Sequence, residues 1–111
     1  MEDIKDVTIT KAANIYYDGA VTSRTLTTQD GEKITLGIMM PGDYTFDTKE
    51  AEIMEILSGE LEVKLPGEDW QKIDSPETFN VPPNSSFDLK IKTVSDYCCT
   101  YINDSISRSF I

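Results

Sequence analysis

The stretch PGDYTFDTKEAEIMEILSGELEVKLPG, residues 41–67, decides the fold. Its last part alternates apolar and polar residues over 61–65, which indicates a half-buried strand. The run AEIMEIL at 51–57 fits a helix or a strand when taken alone. The tight turn at 58–60 joins it directly to the next strand, and Pro-Gly at 66–67 ends the unit. The stretch is therefore predicted to be strand–turn–strand over Glu52–Leu65.

The same pattern continues on both sides of this stretch. Upstream, a hairpin is predicted with arms at 24–28 and 33–39 around a Gln-Asp-Gly turn. The other predicted strands are 43–48, 70–73, 78–81, 87–91 and 96–102. Short strands at regular spacing, separated by turn residues, are typical of an all-β barrel or sandwich.

One domain accounts for the chain, since 111 residues are the size of a single small domain. We predict a barrel domain at residues 13–102. An N-terminal extension at 1–12, a possible edge strand, precedes it, and a polar C-terminal tail at 103–111 follows it.

Composition and charge argue against several classes of partner. The net charge of −10 argues against nucleic acid, which needs a basic surface. No run approaches the roughly 18 apolar residues of a membrane span, and residues 1–10 lack the apolar core of a secretory signal. We therefore expect a cytoplasmic protein that does not bind membranes. Its adjacent Cys98 and Cys99 are expected to be reduced thiols, because neighbouring strand residues point to opposite faces.

The chain contains no histidine. This absence removes the commonest metal ligand and the commonest general base. A cysteine–histidine nucleophile pair is also impossible. Any chemistry must therefore rely on carboxylates, hydroxyls, aromatic rings, lysine and arginine.

A first motif resembles that of the cupins, which are small double-sheet barrels. Six residues separate Glu52 from Gly59, and Gly42 lies upstream, as in the first cupin motif. The positions where cupins carry metal-binding histidines fall near Phe46 and Thr48. The resemblance implies a cupin whose imidazoles are replaced by aromatic and hydroxyl groups.

A second motif lies at residues 76–87. Pro82 takes the proline position of the second cupin motif, Asn84 stands in a glycine position and Phe87 in the histidine position, while Pro76 replaces the leading glycine. Together the two motifs imply a single-domain cupin, an all-β double-stranded β-helix or jelly-roll barrel. The cupin fold hosts many unrelated activities, so it does not by itself define a function.

Longer strings carry a more specific resemblance. They are ANIYYDGAVTSRT (13–25), LGIMMPGDYTFDT (36–48), AEIMEILSGELEVKLPG (51–67), FNVPPNSSFDLKIK (79–92) and DYCCTYI (96–102). In this order they are similar to the pyrimidine/purine nucleoside phosphorylases of cupin fold. The resemblance implies an enzyme that cleaves purine and pyrimidine ribonucleosides with inorganic phosphate, giving free base and ribose 1-phosphate. It also implies a homodimer that needs no metal and no cofactor, with phosphate as co-substrate.

To cleave an N-glycosidic bond with phosphate, an enzyme must bind the phosphate near the sugar, stack against the base and bind the ribose. Arg24 is the first candidate for phosphate, and a catalytic candidate, because a guanidinium matches phosphate geometry. Its alternative is a surface arginine paired with a carboxylate. For Ser85 and Ser86, the alternative to phosphate binding is an ordinary turn that their hydroxyls cap. The further candidate phosphate donors are Lys33, Thr35, Thr48, Ser85 and Ser86.

Glu52 is the second catalytic candidate, because it is expected to point into the barrel on the same face as Met54 and Ile56. A carboxylate there is costly unless it is paired or functional. We expect it to accept hydrogen bonds from ribose hydroxyls and to stabilise positive charge on the sugar. The alternative is a structural glutamate bonded to a tyrosine or an arginine.

Three aromatic residues are candidates for stacking on the base: Tyr44, Phe46 and Phe87. Tyr97 and Tyr101 share one strand face and are expected to line the same cavity. The alternative is that the phenylalanines fill the barrel, which a small barrel permits.

Two other functions fit the same residues. One is a non-catalytic small-molecule-binding cupin. The other is an oxygen-only metal site formed by Asp47, Glu50 and Glu52, which would suit Mg or Mn.

Overall fold

The structure, a computed structural model, describes residues 2–102, so the predicted tail at 103–111 lies outside the described residues. The described part is a succession of strands with one short 3-10 helix at Tyr17–Gly19. In chain order the strands are β1 Thr8–Ile9, β2 Asn14–Tyr16, β3 Val21–Thr27, β4 Lys33–Met39, β5 Gly42–Asp47, β6 Ala51–Ser58, β7 Glu60–Lys64, β8 Trp70–Asp74, β9 Glu77–Val81, β10 Ser86–Ile91 and β11 Ser95–Ile102. Within residues 2–102, no helix is long and apolar enough to cross a membrane.

The strands form two antiparallel sheets. The larger sheet has the order β1-β3-β4-β11-β6-β9, with β2 also paired to β3. The smaller sheet has the order β5-β10-β7-β8. Because side chains alternate between the faces of a strand, each sheet directs one set of side chains towards the other. The prediction of an all-β domain is confirmed.

The strand–turn–strand unit predicted over Glu52–Leu65 forms β6 and β7, but these two strands do not pair with each other. β6 pairs with β11 and β9 in the larger sheet, whereas β7 pairs with β10 and β8 in the smaller one. The turn at Gly59 therefore carries the chain from one sheet to the other. Gly59 has a φ of +106°, and a Cβ there would meet Ser95 and the Val94 carbonyl. Only glycine allows this close crossing.

The inward faces form the hydrophobic core. Each side chain of this kind contributes roughly 1.5–3 kcal/mol when it is fully buried. Alternation along the strands explains which residues are inside, since the buried positions recur every second residue in β7 and β10. The most deeply buried apolar residues are Val21, Met39, Ile56, Leu61, Val63, Ile73, Val81 and Leu89.

The N-terminal residues add to the edge of the larger sheet. Thr8 and Ile9 of β1 pair with Thr27 and Leu26 of β3. Asn14 of β2 pairs with Ser23 further along the same strand. The connection between β2 and β3 then reaches across to the smaller sheet, which places aromatic residues at the seam between the two sheets.

Candidate active site

A cavity of about 350 Å³ lies between the two sheets. This volume falls within the range of small-molecule sites. The side chains of residues 2–102 therefore do not fill the interior. The larger sheet lines the cavity with polar groups and tyrosines, and the smaller sheet contributes two phenylalanine rings.

The polar wall comes from three neighbouring strands. Glu52 of β6 lies directly opposite Tyr101 of β11 in the strand register. Lys33 of β4 places its ammonium 4.4 Å from the centroid of the Tyr101 ring. Cys99, two residues before Tyr101, shares its strand face. The wall thus brings together a carboxylate, a phenol, a thiol and a cation.

The Glu52 carboxylate has only one hydrogen bond within residues 2–102: the Cys99 thiol donates to its Oε1 at 3.5 Å. A thiol is a weak donor, so the carboxylate keeps most of its accepting capacity for a ligand. Burial raises the pKa of Glu52, and the nearby charge of Glu50 adds to this rise. The Cys99 hydrogen bond and the charge of Lys33 oppose it. The carboxyl is therefore poorly solvated and close to a cation.

The thiol and the phenols of this wall are held in their protonated forms. Burial raises the pKa of Tyr97 to about 12, and it also raises the pKa values of Cys99 and Tyr101. The charge of Glu52 contributes to the rise at Cys99. Since the thiolate is the nucleophilic form, Cys99 serves as a hydrogen-bond donor rather than as a nucleophile.

A glycine and a polar network make room for Tyr97. A Cβ on Gly37 would lie 2.8 Å from the Tyr97 ring, so only glycine lets this ring lie over β4. Beside it, the Asn14 amide donates to the hydroxyls of Ser23 at 3.2 Å and Thr25 at 2.9 Å. Ser23 itself lines the cavity.

The aromatic wall has offset and edge-on geometry. Phe46 of β5 and Phe87 of β10 are direct partners in the smaller sheet, with ring centroids 6.1 Å apart and planes at 35°. Tyr16 of β2 meets Phe46 edge-on, at 5.6 Å and 89°. All three rings line the cavity, so they offer a flat ligand a stacking surface.

Five of the residues predicted from the sequence meet at this cavity. They are Lys33, Phe46, Glu52, Phe87 and Tyr101. The predicted Tyr97 also lines it. The filled-barrel alternative does not hold, because the phenylalanines leave this space open.

Arg24 does not line the cavity. On β3 the inward position belongs to Ser23, which is buried, and the next residue, Arg24, is exposed on the outer face of the larger sheet. Because side chains alternate along a strand, no rotation of the Arg24 side chain brings it inside. The structure thus places this candidate phosphate ligand on the face of the larger sheet that is turned away from the cavity.

Five other predicted residues are also away from the cavity. Tyr44 is buried in the core, where its hydroxyl donates to the Met40 carbonyl at 2.7 Å. Thr48 donates to the Pro82 carbonyl at 2.7 Å and accepts from the Ser85 amide at 3.0 Å. These bonds hold the loop before β10 and do not face a ligand.

The three remaining predicted hydroxyls, those of Ser85, Ser86 and Thr35, also do not line the cavity. The Ser85 hydroxyl donates to the Pro83 carbonyl at 2.9 Å, and Ser86 is exposed at the start of β10. Thr35 is buried on the inward face of β4, where its register partner on β11 is Cys99. Thr35 is a hydrogen-bonding neighbour of Tyr101 within the polar wall.

Apart from apolar core residues, four lining residues were not predicted as site residues: Tyr16, Ser23, Lys49 and Cys99. The signal for Cys99 was present in the sequence, since it lies midway between Tyr97 and Tyr101 in a strand with a period of two. Tyr16 had no such signal, because its position depends on the pairing of β2 with β3.

An oxygen-only metal site would need Asp47, Glu50 and Glu52 to converge. All three line the cavity. Among the residues that the structure describes, however, no group of three or more His, Cys, Asp or Glu side chains could hold a metal ion. The cluster that this alternative requires is not formed.

Sequence comparison decides the family. A family model described as pyrimidine/purine nucleoside phosphorylase matches residues 11–101. The chain belongs to this family. A relative named pyrimidine/purine nucleoside phosphorylase, from Sulfurimonas denitrificans, is 64% identical over 102 residues, which cover 92% of this chain and 99% of the relative.

Solved structures confirm the fold. A protein of unknown function from Acinetobacter sp. ADP1 matches with a TM-score of 0.86 and 36% identity, covering 90% of this chain and 98% of that one. A cupin superfamily protein from Desulfitobacterium hafniense DCB-2 matches with a TM-score of 0.61 and 17% identity, covering 75% and 78%. The second match bears on the fold alone, and it confirms the prediction of a cupin fold.

Proposed function

We propose that this chain is a nucleoside phosphorylase that cleaves purine and pyrimidine ribonucleosides with inorganic phosphate, giving free base and ribose 1-phosphate. One observation carries the proposal. A chain of this family holds a cavity in which an aromatic wall faces a wall that combines Lys33 with Glu52. These are the three surfaces that a base, a phosphate and a ribose require.

The base is held by stacking. Phe46 and Phe87 present their rings to the cavity. Offset stacking adds roughly 0.5–1.5 kcal/mol for each aromatic pair. Since every base has a π-face, this mode of binding accepts both purines and pyrimidines.

Lys33 holds the phosphate beside the sugar. An oxygen of hydrogen phosphate forms the bond to C1′ while the C1′–N bond breaks, and the electron pair of that bond leaves with the base. The proton of the hydrogen phosphate ends on the base. Lys33 neutralises part of the anion's charge, and the protonated Tyr101 next to it is available as a donor.

Glu52 binds the ribose. Its carboxylate has one weak protein donor, Cys99, and can accept from ribose hydroxyls. As the C1′–N bond breaks, the sugar gains positive charge, and the nearby negative charge stabilises it. Glu52 and Lys33 therefore act on opposite charges of the same transition state.

The role of Glu52 predicts a pH dependence. The carboxyl must be ionised to work, and burial raises its pKa. The acid limb of the kcat/KM profile should therefore lie above the ordinary glutamate range. Cys99→Ala removes the hydrogen bond that favours the carboxylate, so this limb should move to still higher pH, whereas Cys99→Ser should move it less. If the acid limbs of wild type and Cys99→Ala superimpose, Cys99 does not influence the ionisation of Glu52.

The function is tested by incubating chelator-treated protein with inosine or uridine and following the free base with and without phosphate. The proposal predicts release that depends on phosphate and survives chelation. No release, together with a nucleoside-induced rise in melting temperature, would instead indicate the non-catalytic binding cupin. Release that chelator abolishes and added metal restores would indicate a metal enzyme.

The cytoplasm is the proposed location, and the free Cys98 and Cys99 support it, because thiols stay reduced there. We also propose a homodimer that forms through the outer face of the larger sheet. Ile15, Ile38 and Ile53 are exposed on this face. Exposed apolar residues on one sheet face are typical of an interaction surface.

The charged residues on this face support the proposal that its partner is a second copy of this chain. One row across the sheet runs Arg24, Leu36, Cys98 and Glu55. A two-fold axis between β4 and β11, parallel to the strands, would set Arg24 of each copy opposite Glu55 of the other. Within residues 2–102 neither of these side chains has an ion-pair partner.

A charge exchange tests this interface. Glu55→Arg would place two arginines opposite each other, so we expect the dimer dissociation constant to rise by about tenfold or more. The double variant Arg24→Glu/Glu55→Arg should restore it. Sedimentation velocity measures both. An unaltered dimer in Glu55→Arg, or a monomeric wild type, would refute this arrangement.

A further inference from the structure

Tyr17 occupies the open edge of the smaller sheet. Among the strands of residues 2–102, β5 is at the edge of that sheet, so Thr45 has no neighbouring strand there on its outer side. The Tyr17 hydroxyl donates to the Thr45 carbonyl at 2.7 Å and accepts from the Thr45 amide at 2.9 Å. One side chain from the β2–β3 connection therefore satisfies both backbone groups of an edge residue.

The backbone around Tyr17 is in a costly conformation. Tyr17 and Asp18 have φ values of 50° and 54°, and Gly19 follows with 98°. Two consecutive residues with side chains rarely adopt left-handed φ angles. Such a conformation persists only where the surroundings fix it. The contacts that hold it here are the two hydrogen bonds to Thr45 and the bond that the Ala20 amide donates to the Tyr17 carbonyl.

The segment at residues 16–19, which Tyr17 attaches to β5, sets the position of one wall of the cavity. The Tyr17 ring packs against Tyr44 at 4.9 Å and Phe46 at 5.7 Å, outside the cavity. The preceding residue, Tyr16, lines the cavity and meets Phe46 edge-on. Tyr16 is half exposed and has no hydrogen bond of its own among the described side chains. The pairing of β2 with β3 places the Tyr16 backbone, and the hydrogen bonds of Tyr17 to Thr45 hold the end of that strand against β5.

We propose that Tyr17 is a positioning residue whose hydroxyl fastens the 16–19 segment to the edge of β5 and so holds Tyr16 as the outer wall of the base site. The inference rests on the proposed function, because it assigns the aromatic end of the cavity to the base. Tyr16 then sets how far a base can be enclosed. A two-ring purine extends further along the aromatic wall than a one-ring pyrimidine, so the purine depends more on Tyr16.

Tyr17→Phe tests this role, because it keeps the ring and removes only the two hydrogen bonds. We expect the KM for inosine to rise roughly three- to tenfold, the loss expected for one aromatic contact. The KM for uridine should rise less, and kcat and the phosphate KM should stay unchanged. Tyr16→Ala should reproduce the effect, and the double variant should add little to it, because both changes remove the same contact.

Tyr44→Phe is the matched control. It removes one tyrosine hydroxyl from the same aromatic cluster, where the bond to the Met40 carbonyl faces the core. A purely structural role for Tyr17 would give both variants the same profile, with a lower melting temperature and an unchanged inosine-to-uridine KM ratio. That result would overturn the proposal.

Amide exchange separates this inference from the proposed function. Hydrogen exchange at the Thr45 amide, followed by NMR, should be slow in wild type and fast in Tyr17→Phe, whether or not the protein turns over nucleosides. If wild type releases no base, the proposed function fails, and calorimetric binding constants for inosine and uridine replace the KM values. Fast exchange at Thr45 in wild type, or an unchanged ratio in Tyr17→Phe, contradicts the role of Tyr17.

Discussion

Glu52→Gln is expected to lower kcat for nucleoside phosphorolysis by roughly 100-fold or more, the usual cost of removing a charge-stabilising group from a transition state. Glutamine has the same shape but carries no charge, so it cannot stabilise the positive charge on the sugar. Its amide also presents donors where ribose hydroxyls need acceptors. Because the charge matters most as the C1′–N bond breaks, kcat should fall more than nucleoside binding.

The fold should survive this change. Burial raises the pKa of Glu52. A raised pKa in the folded state means that stability is present below the unfolded pKa and is lost as the pH rises through the folded one. At neutral pH the ionised Glu52 therefore opposes folding, and Gln removes that opposition. The melting temperature of Glu52→Gln should equal or exceed that of wild type.

Glu68→Gln provides the control, since it makes the same chemical change in an exposed turn after β7. Steady-state assays with inosine and uridine should show wild-type rates for Glu68→Gln. A wild-type kcat in Glu52→Gln would remove this carboxylate from the mechanism. A kcat loss accompanied by unfolding would assign it a structural role instead.

Lys33→Met is expected to raise the phosphate KM by roughly 10- to 100-fold, the size expected when a hydrogen bond to a charged group is lost. Methionine keeps an apolar stem against the Tyr101 ring, so the packing of the wall is retained. The nucleoside KM should change little, because stacking holds the base. Lys33→Arg retains the positive charge and should lose much less.

Arg24→Met is the comparison that separates the two candidate cations. Arg24 is exposed on the outer face, so its removal should leave the phosphate KM unchanged. Each variant is assayed after its oligomeric state has been measured. A raised phosphate KM in Arg24→Met, with an unchanged value in Lys33→Met, would move the anion away from the cavity described above.

The sequence predicts most of the strands, because their period of two and the turn residues between them are local signals. It does not predict which strands pair. The unit around Gly59 has the sequence of a simple strand–turn–strand, yet its two strands belong to different sheets. That outcome depends on contacts with Ser95 and Val94, which are distant in the chain.

The sequence places a residue in the cavity where the spacing of a motif fixes which face of its strand the residue lies on. Glu52, Phe46 and Phe87 are examples, and all three line the cavity. Arg24 lies outside the cavity, and the sequence could not show this, because the run Val-Thr-Ser-Arg-Thr is polar on both faces and its phase is ambiguous without the register of β3 and β4. Thr48 lies outside it for a different reason, since a hydroxyl suited to phosphate is equally suited to closing a loop.

The position of the anion tests directly whether one cavity holds base, ribose and phosphate together. A crystal structure with bound phosphate or sulfate measures it. We expect an anion inside the cavity, within hydrogen-bonding distance of the Lys33 ammonium and on the same side as Glu52. An anion bound instead at Arg24 or at the Ser85–Ser86 turn, with the cavity free of it, would show that the cavity is not the phosphate site.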